Sequence, residues 1–239
     1  MARHAVKKEA TMAHNHNVSP FNSMPPAIVG LAVVIVGVEA AFSLGARGLL
    51  GGPGAVGWRL DALQRFAFSN EVWHWMLSSG QFPAQHLLRF FSYAFVHGSF
   101  SHALFAAVML LALGKMVGEA LGTARTLAIL AVSCFGGALA YGFLSTPVPL
   151  IGAFPPVYGL IGGFTYLLWL RLGQMGEQQA RAFSLIGILL GIQLLFGLLF
   201  GGTLDWVADL GGFGSGFLLT MVLVPGGWTR LRERLRQRR

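Results

Sequence analysis

His97 and His102 stand five residues apart in FVHGSFSHALF, and Asp205 and Asp209 stand four apart in DWVADLGG. Glu39 in VVIVGVEAAF likewise falls within a long apolar run. An imidazole can take a proton from a hydroxyl, and two carboxylates can share one water, so the pattern suits acid–base or aspartyl chemistry. Asp205 and Asp209 are one helical turn apart on one face. Asp205, however, falls at the edge of its apolar segment, where a capping or solvated role is expected and an aspartyl dyad is not. Glu39 admits two readings, a functional intramembrane carboxylate or a buried structural acid. Tyr158, in PPVYG, is a further polar candidate. Cys134 is the single cysteine, so it forms no internal disulfide and reads as apolar filler. No metal set and no cofactor motif is expected.

The elements that must carry these side chains are apolar. The 239 residues are 54% hydrophobic and 11% charged, with mean hydropathy +0.63. A soluble domain carries roughly 25% charged residues, so these runs must face lipid. Apolar segments occupy 26–45, 102–118, 123–143, 155–171, 182–200 and 205–224, the second and fourth being the shortest. The chain reads as one all-α integral membrane domain of six spans over 26–225. A polar tail, 1–25, precedes it and a basic tail, 226–239, follows it.

With the N-terminus inside, the inner face receives both tails, Lys115, Arg125, Arg171 and Arg181, leaving Arg47, Arg59, Arg65 and Arg89 outside. That asymmetry places both termini in the cytoplasm. The six arginines of TRLRERLRQRR are thus a topology signal, and no nucleic-acid partner is expected. The loop at 46–101 is too long to be a plain connector. GWRLDALQRFAFSNEVWHWML predicts an aromatic amphipathic helix lying at the interface, its tryptophans serving as anchors. Gly159 and Gly163, and Gly212 and Gly216, are four apart, the small-xxx-small spacing that lets helix backbones approach.

Three of these stretches together resemble the rhomboid family of intramembrane serine proteases. RFFSYAFVHGSFSHALFAAVMLLALGKMVGEALGTAR at 89–125 resembles the family's entry into its second helix, with two histidines five apart. GAFPPVYGLIGG at 152–163 resembles the GxSGxxxGL start of the fourth, and DWVADLGGFGSG at 205–216 the AHxxGxxxG of the sixth. The resemblance implies a six-helix rhomboid-like bundle with an interfacial helical first loop, and fourth and sixth helices packed together. In the family, a serine attacks the scissile carbonyl, a histidine removes its proton, and a histidine and an asparagine help hold the oxyanion. Here the serine position is Phe154, the histidine position is Asp209 and the asparagine position is Ala106; His102 alone is kept. Pro155 and Pro156 also remove two backbone donors from the turn.

The resemblance therefore implies a non-proteolytic relative, a pseudoprotease, and the compact chain with its short extramembrane segments leads us to expect a bacterial inner membrane. Such a relative would hold the transmembrane helix of a client protein, or a membrane complex, within the bilayer. Two alternatives stand beside it. One is an active protease with displaced residues, Ser99, Ser101, Ser145 or Ser215 serving as nucleophile. The other is a proton-coupled transporter running through Glu39, His102 and Asp209. If the family's geometry holds, Asp209 and His102 face one another as a buried charge-assisted pair.

Overall fold

The computed structural model describes residues 24–200 and 203–225. Both charged tails therefore lie outside the described residues, apart from Met24 and Pro25. The described residues are almost wholly helical: α1 (Pro26–Ala46), α2 (Trp58–Phe66), α3 (Asn70–Ser79), α4 (Ala84–Leu87), α5 (Arg89–Ser92), α6 (Phe100–Leu121), α7 (Thr123–Gly142), α8 (Phe154–Gln174), α9 (Ser184–Phe200) and α10 (Asp205–Leu223). By length and composition, α1, α6, α7 and α10 can each cross a membrane. The expected six spans are thus met on those criteria in four. Helix α8 is 21 residues long, and α9 is the shortest of the long helices at 17.

The second and fourth segments are not the short ones. Ser99 caps α6 by accepting the His102 N–H at 3.3 Å, and Gly122, at φ 84°, stops it after 22 helical residues. Near its end Lys115 and Glu119 sit one turn apart at 3.9 Å, so the helix continues past its apolar stretch through a pair that tolerates the interface. Helix α8 similarly runs on through Arg171 to Gln174.

Within the first loop, the stretch 57–77 forms two helices, α2 and the start of α3, where one was expected. Ser69 caps α3 through the Val72 N–H, and Phe68 makes an isolated antiparallel bridge to Leu150, with N–H···O distances of 3.1 and 2.8 Å. An extended Phe68 cannot continue α2, so the break follows from that pairing. Its aromatic residues also divide. Trp75 and Phe66 are exposed, whereas Phe68 is buried and packs edge-on to Phe90 at 4.9 Å. Arg89 fastens this layer by donating to the carbonyls of Gln64 and Ala67 at 2.7 and 3.0 Å.

Helix α8 runs through the centre of the molecule, packed against α6, α7 and α10. It approaches α7 and α10 most closely at glycines. A Cβ on Gly216 would lie 2.6 Å from Gly159 Cα, and one on Gly212 would lie 2.7 Å from the Pro155 carbonyl carbon. On Gly163 it would lie 2.9 Å from Thr220 Oγ1, and on Gly137 of α7 2.6 Å from Pro155 Cβ. At Gly216 and Gly212 the neighbour is backbone, so there is no room for a larger side chain and dispersion between close backbones takes its place.

Candidate functional site

The site is built around the turn that precedes α8. Gly152 has φ 92°, which excludes most other residues. A Cβ there would also meet His102 Nε2 at 2.5 Å. The Gly152 N–H donates to the Tyr93 carbonyl at 2.9 Å, and the Ala153 N–H donates to His97 Nε2 at 3.2 Å. Phe154, Pro155 and Pro156 then open α8 without a side-chain cap. Pro155 and Pro156 fit there because first-turn N–H groups have no partner within the helix. The first bond of the ladder runs from Val157 N–H to the Ala153 carbonyl at 3.1 Å.

His97, His102 and Phe154 form one aromatic cluster. The two imidazoles meet edge to face at 5.0 Å, and the Phe154 ring lies nearly parallel to His102 at 5.2 Å. His97 is fully buried and uses Nε2 as an acceptor, so it is neutral in this arrangement. Burial, and next to it the His102 ring, push its pKa from the ordinary 6.5 down to about 4, against the opposing pull of Glu39. The unfolded chain accepts a proton that the folded chain refuses, so stability should be level above about pH 6.5 and fall as the pH drops toward about 4. Unfolding midpoints in mild detergent across that range would show the decline. His97→Gln should flatten it, and an unchanged slope in that variant would assign the effect to other groups.

Asp209 does not pair with His102. Its Oδ2 accepts from Gln193 Nε2 at 3.0 Å, and Gln193 Oε1 accepts from the Tyr158 hydroxyl at 3.5 Å. The His102 face is instead taken by Phe154, and Asp209 finds its partner on α9. Gln193 was missed in the sequence, although a lone amide in GILLGIQLLFG is a visible signal, since a polar side chain in a spanning helix needs a partner. The revised pairing predicts that Asp209→Ala and Gln193→Ala are coupled by about 0.6–1.7 kcal/mol, the range for hydrogen bonds between helices in a bilayer. A double-mutant cycle on detergent unfolding would measure this, with Asp209→Ala and His102→Ala additive. Coupling of Asp209 to His102 would refute the arrangement.

Glu39 lies apart from this network, in a clamp. Its carboxylate takes both arms of Arg59, at 2.7 and 2.9 Å, and the Ser43 hydroxyl at 2.9 Å. Arg59 also donates to the His97 carbonyl at 2.6 Å. Arg59 was read only as a loop cation in the sequence, because its partner lies 20 residues away on another helix. Ala106 is wholly buried, and Asp205 accepts from Thr203 Oγ1 at 2.8 Å at the start of α10. Among the described residues, no serine, threonine or cysteine side chain is hydrogen-bonded to a histidine ring. Ser99 and Ser101 face each other at 3.1 Å.

The family model described as the Rhomboid domain matches residues 84–226, more than half of the chain. The chain belongs to the rhomboid family. The match begins at α4 and takes in the histidine pair, the turn before α8 and the glycines of α10, so this rhomboid's α1, α2 and α3 precede the matched region. The chain is also similar to RHOMBOID-like protein 4 of Arabidopsis thaliana, 28% identical over 148 residues. Those residues are 61% of this chain and 37% of the plant protein, so the rhomboid described here spans little more than a third of that relative's length.

Proposed function

We propose that this rhomboid binds transmembrane segments of other membrane proteins and does not cut them. The observation that carries the reading is Phe154, whose ring lies over His102, at the position that the sequence resemblance matches to the family's nucleophile. A benzyl side chain has no atom that can attack a carbonyl. Asp209, at the position of the family's base, is hydrogen-bonded to Gln193. The Tyr158–Gln193–Asp209 set would give a polar residue of a client helix partners within the membrane, which favours clients whose spans carry polar or helix-weakening residues. Helices α6 and α9 leave Phe105, Val108, Ile188 and Ile192 exposed, which suits entry of a helix between them. Binding without cleavage would escort, retain or assemble the client. A bacterial inner membrane belongs to this same reading, and so do cytoplasmic termini, the latter supported by the excess of Lys and Arg in the tails and in the segments on their side. A proton path is disfavoured, because Glu39 is held by Arg59 and Asp209 by Gln193, on separate elements.

The test joins two measurements on the full chain in vesicles. A photocrosslinker at position 154 or 158 should capture single-span proteins in native membranes. Purified protein should leave an embedded single-span peptide intact by mass spectrometry. Cleavage that disappears on mutating Asp209 or one of Ser99, Ser101, Ser145 and Ser215 would overturn the proposal in favour of an active protease.

A further inference from the structure

Two cavities lie end to end along one face of α1. The deeper, about 260 Å³, is walled by Leu31 and Ile35 of α1, Phe91 and Phe95 of the first loop, and Leu130 and Cys134 of α7. The second, about 580 Å³, is walled by Val38 and Phe42 of α1, Trp58, Asp61 and Arg65 of α2, and again Phe95. Leu31, Ile35, Val38 and Phe42 follow one helical stripe. Eleven residues at 1.5 Å rise give a groove about 16 Å long, the thickness of one leaflet of a roughly 30 Å core. Its walls are enclosed, since Ile35, Leu130 and Cys134 are buried, while Phe91 and Ala131 at its side are exposed.

We infer that this groove holds one phospholipid with a phosphate–ammonium headgroup, a single acyl chain lying between α1 and α7. The deep cavity is too narrow for a client helix: one turn, 5.4 Å long and about 10 Å across, already fills about 400 Å³. It is lined almost wholly by carbon, which suits a chain and leaves a void if nothing enters. The mouth supplies both charges of the headgroup. Arg65 and Asp61 are exposed there, and neither has an ion-pair partner among the described residues. A guanidinium forks onto phosphate oxygens, the carboxylate takes the ammonium, and Trp58 sits beside them at headgroup depth. The lipid belongs to the leaflet on the side of the first loop.

The full chain, reconstituted in phosphatidylcholine vesicles with a trace of phosphatidylethanolamine bearing a diazirine part-way along one chain, tests this. Irradiation should label peptides 91–95 and 127–134 above the exposed face of α6. Ala131→Trp, which fills the groove from an exposed position, should cut that labelling at least about tenfold. Arg65→Glu and Asp61→Lys should weaken it, and Phe105→Trp on α6 should not. Because Arg65 and Asp61 lie at the surface, their variants should fold even if the tryptophan does not. Labelling unmoved by these changes would overturn the proposal. So would equal labelling from a phosphatidylglycerol probe, or capture of a polypeptide from a crosslinker at position 131.

Discussion

Arg59→Ala should destabilise the protein by about 3 kcal/mol, the lower part of the range for removing one partner of a buried ion pair. Glu39 is buried on α1, and the substitution strips both guanidinium hydrogen bonds from it, leaving only the Ser43 hydroxyl. The lower end applies because the Arg59 side chain is 25% exposed, so water already reaches one partner. The effect should spread to the site. Arg59 holds the His97 carbonyl, and the His97 ring holds the Ala153 amide at the head of α8. Hydrogen exchange at Ala153 should therefore quicken in the variant. Replacing both partners, Glu39→Leu with Arg59→Leu, should recover most of the loss, since no unpaired charge remains. Denaturant titration in mild detergent measures each variant. Arg59→Ala within about 0.5 kcal/mol of the parent would show that the clamp contributes little.

The second large effect is expected from glycine. Gly216→Leu places carbon against the Gly159 backbone, where even a Cβ would sit 2.6 Å from Cα. Backbone cannot rotate away as a side chain can, so α8 and α10 must separate. The cost should reach the top of the 1–3 kcal/mol range for overpacking, or exceed it. Gly212→Leu should behave alike, because its neighbour is the Pro155 backbone. Gly214, on the same helix, has nothing within 4 Å of an added Cβ. Gly214→Ala should be neutral or stabilising, by at most about 1 kcal/mol from helix propensity. Unfolding curves for the three variants, read side by side, separate packing from propensity. Equal losses at 214 and 216 would remove the basis for a close seam.

Glycine spacing also illustrates how far a sequence can be read. Gly159, Gly163, Gly212 and Gly216 stand out because small residues four apart share a helix face, and that periodicity is local. Ser133, Gly136 and Gly137 of α7 join the same packing, with Gly137 against Pro155 and Ala208, and their SCFGGALA run carried the same signal. The histidine pair and the broken start of α8 were legible for a similar reason, since spacing along one helix entry is short-range information. Which side chains face them was not. Asp209 and His102 are 107 positions apart in the chain, and their separation depends on a ring at 154 and an amide at 193. The break between α2 and α3 likewise depends on Leu150, 82 residues beyond Phe68.

Composition and order along the chain determined an all-helical membrane protein of the rhomboid family, with a histidine pair, a broken helix start and glycines four apart in that order. These follow from residue identity and from periods of a few residues, which a linear text preserves. Tertiary structure alone decided that Glu39 is clamped by Arg59, that Asp209 turns to α9, and that Phe154 lies on His102. The physical reason is that a buried polar group takes whichever partner packing brings within about 3 Å. That choice is set by how the helices cross, which no local pattern encodes.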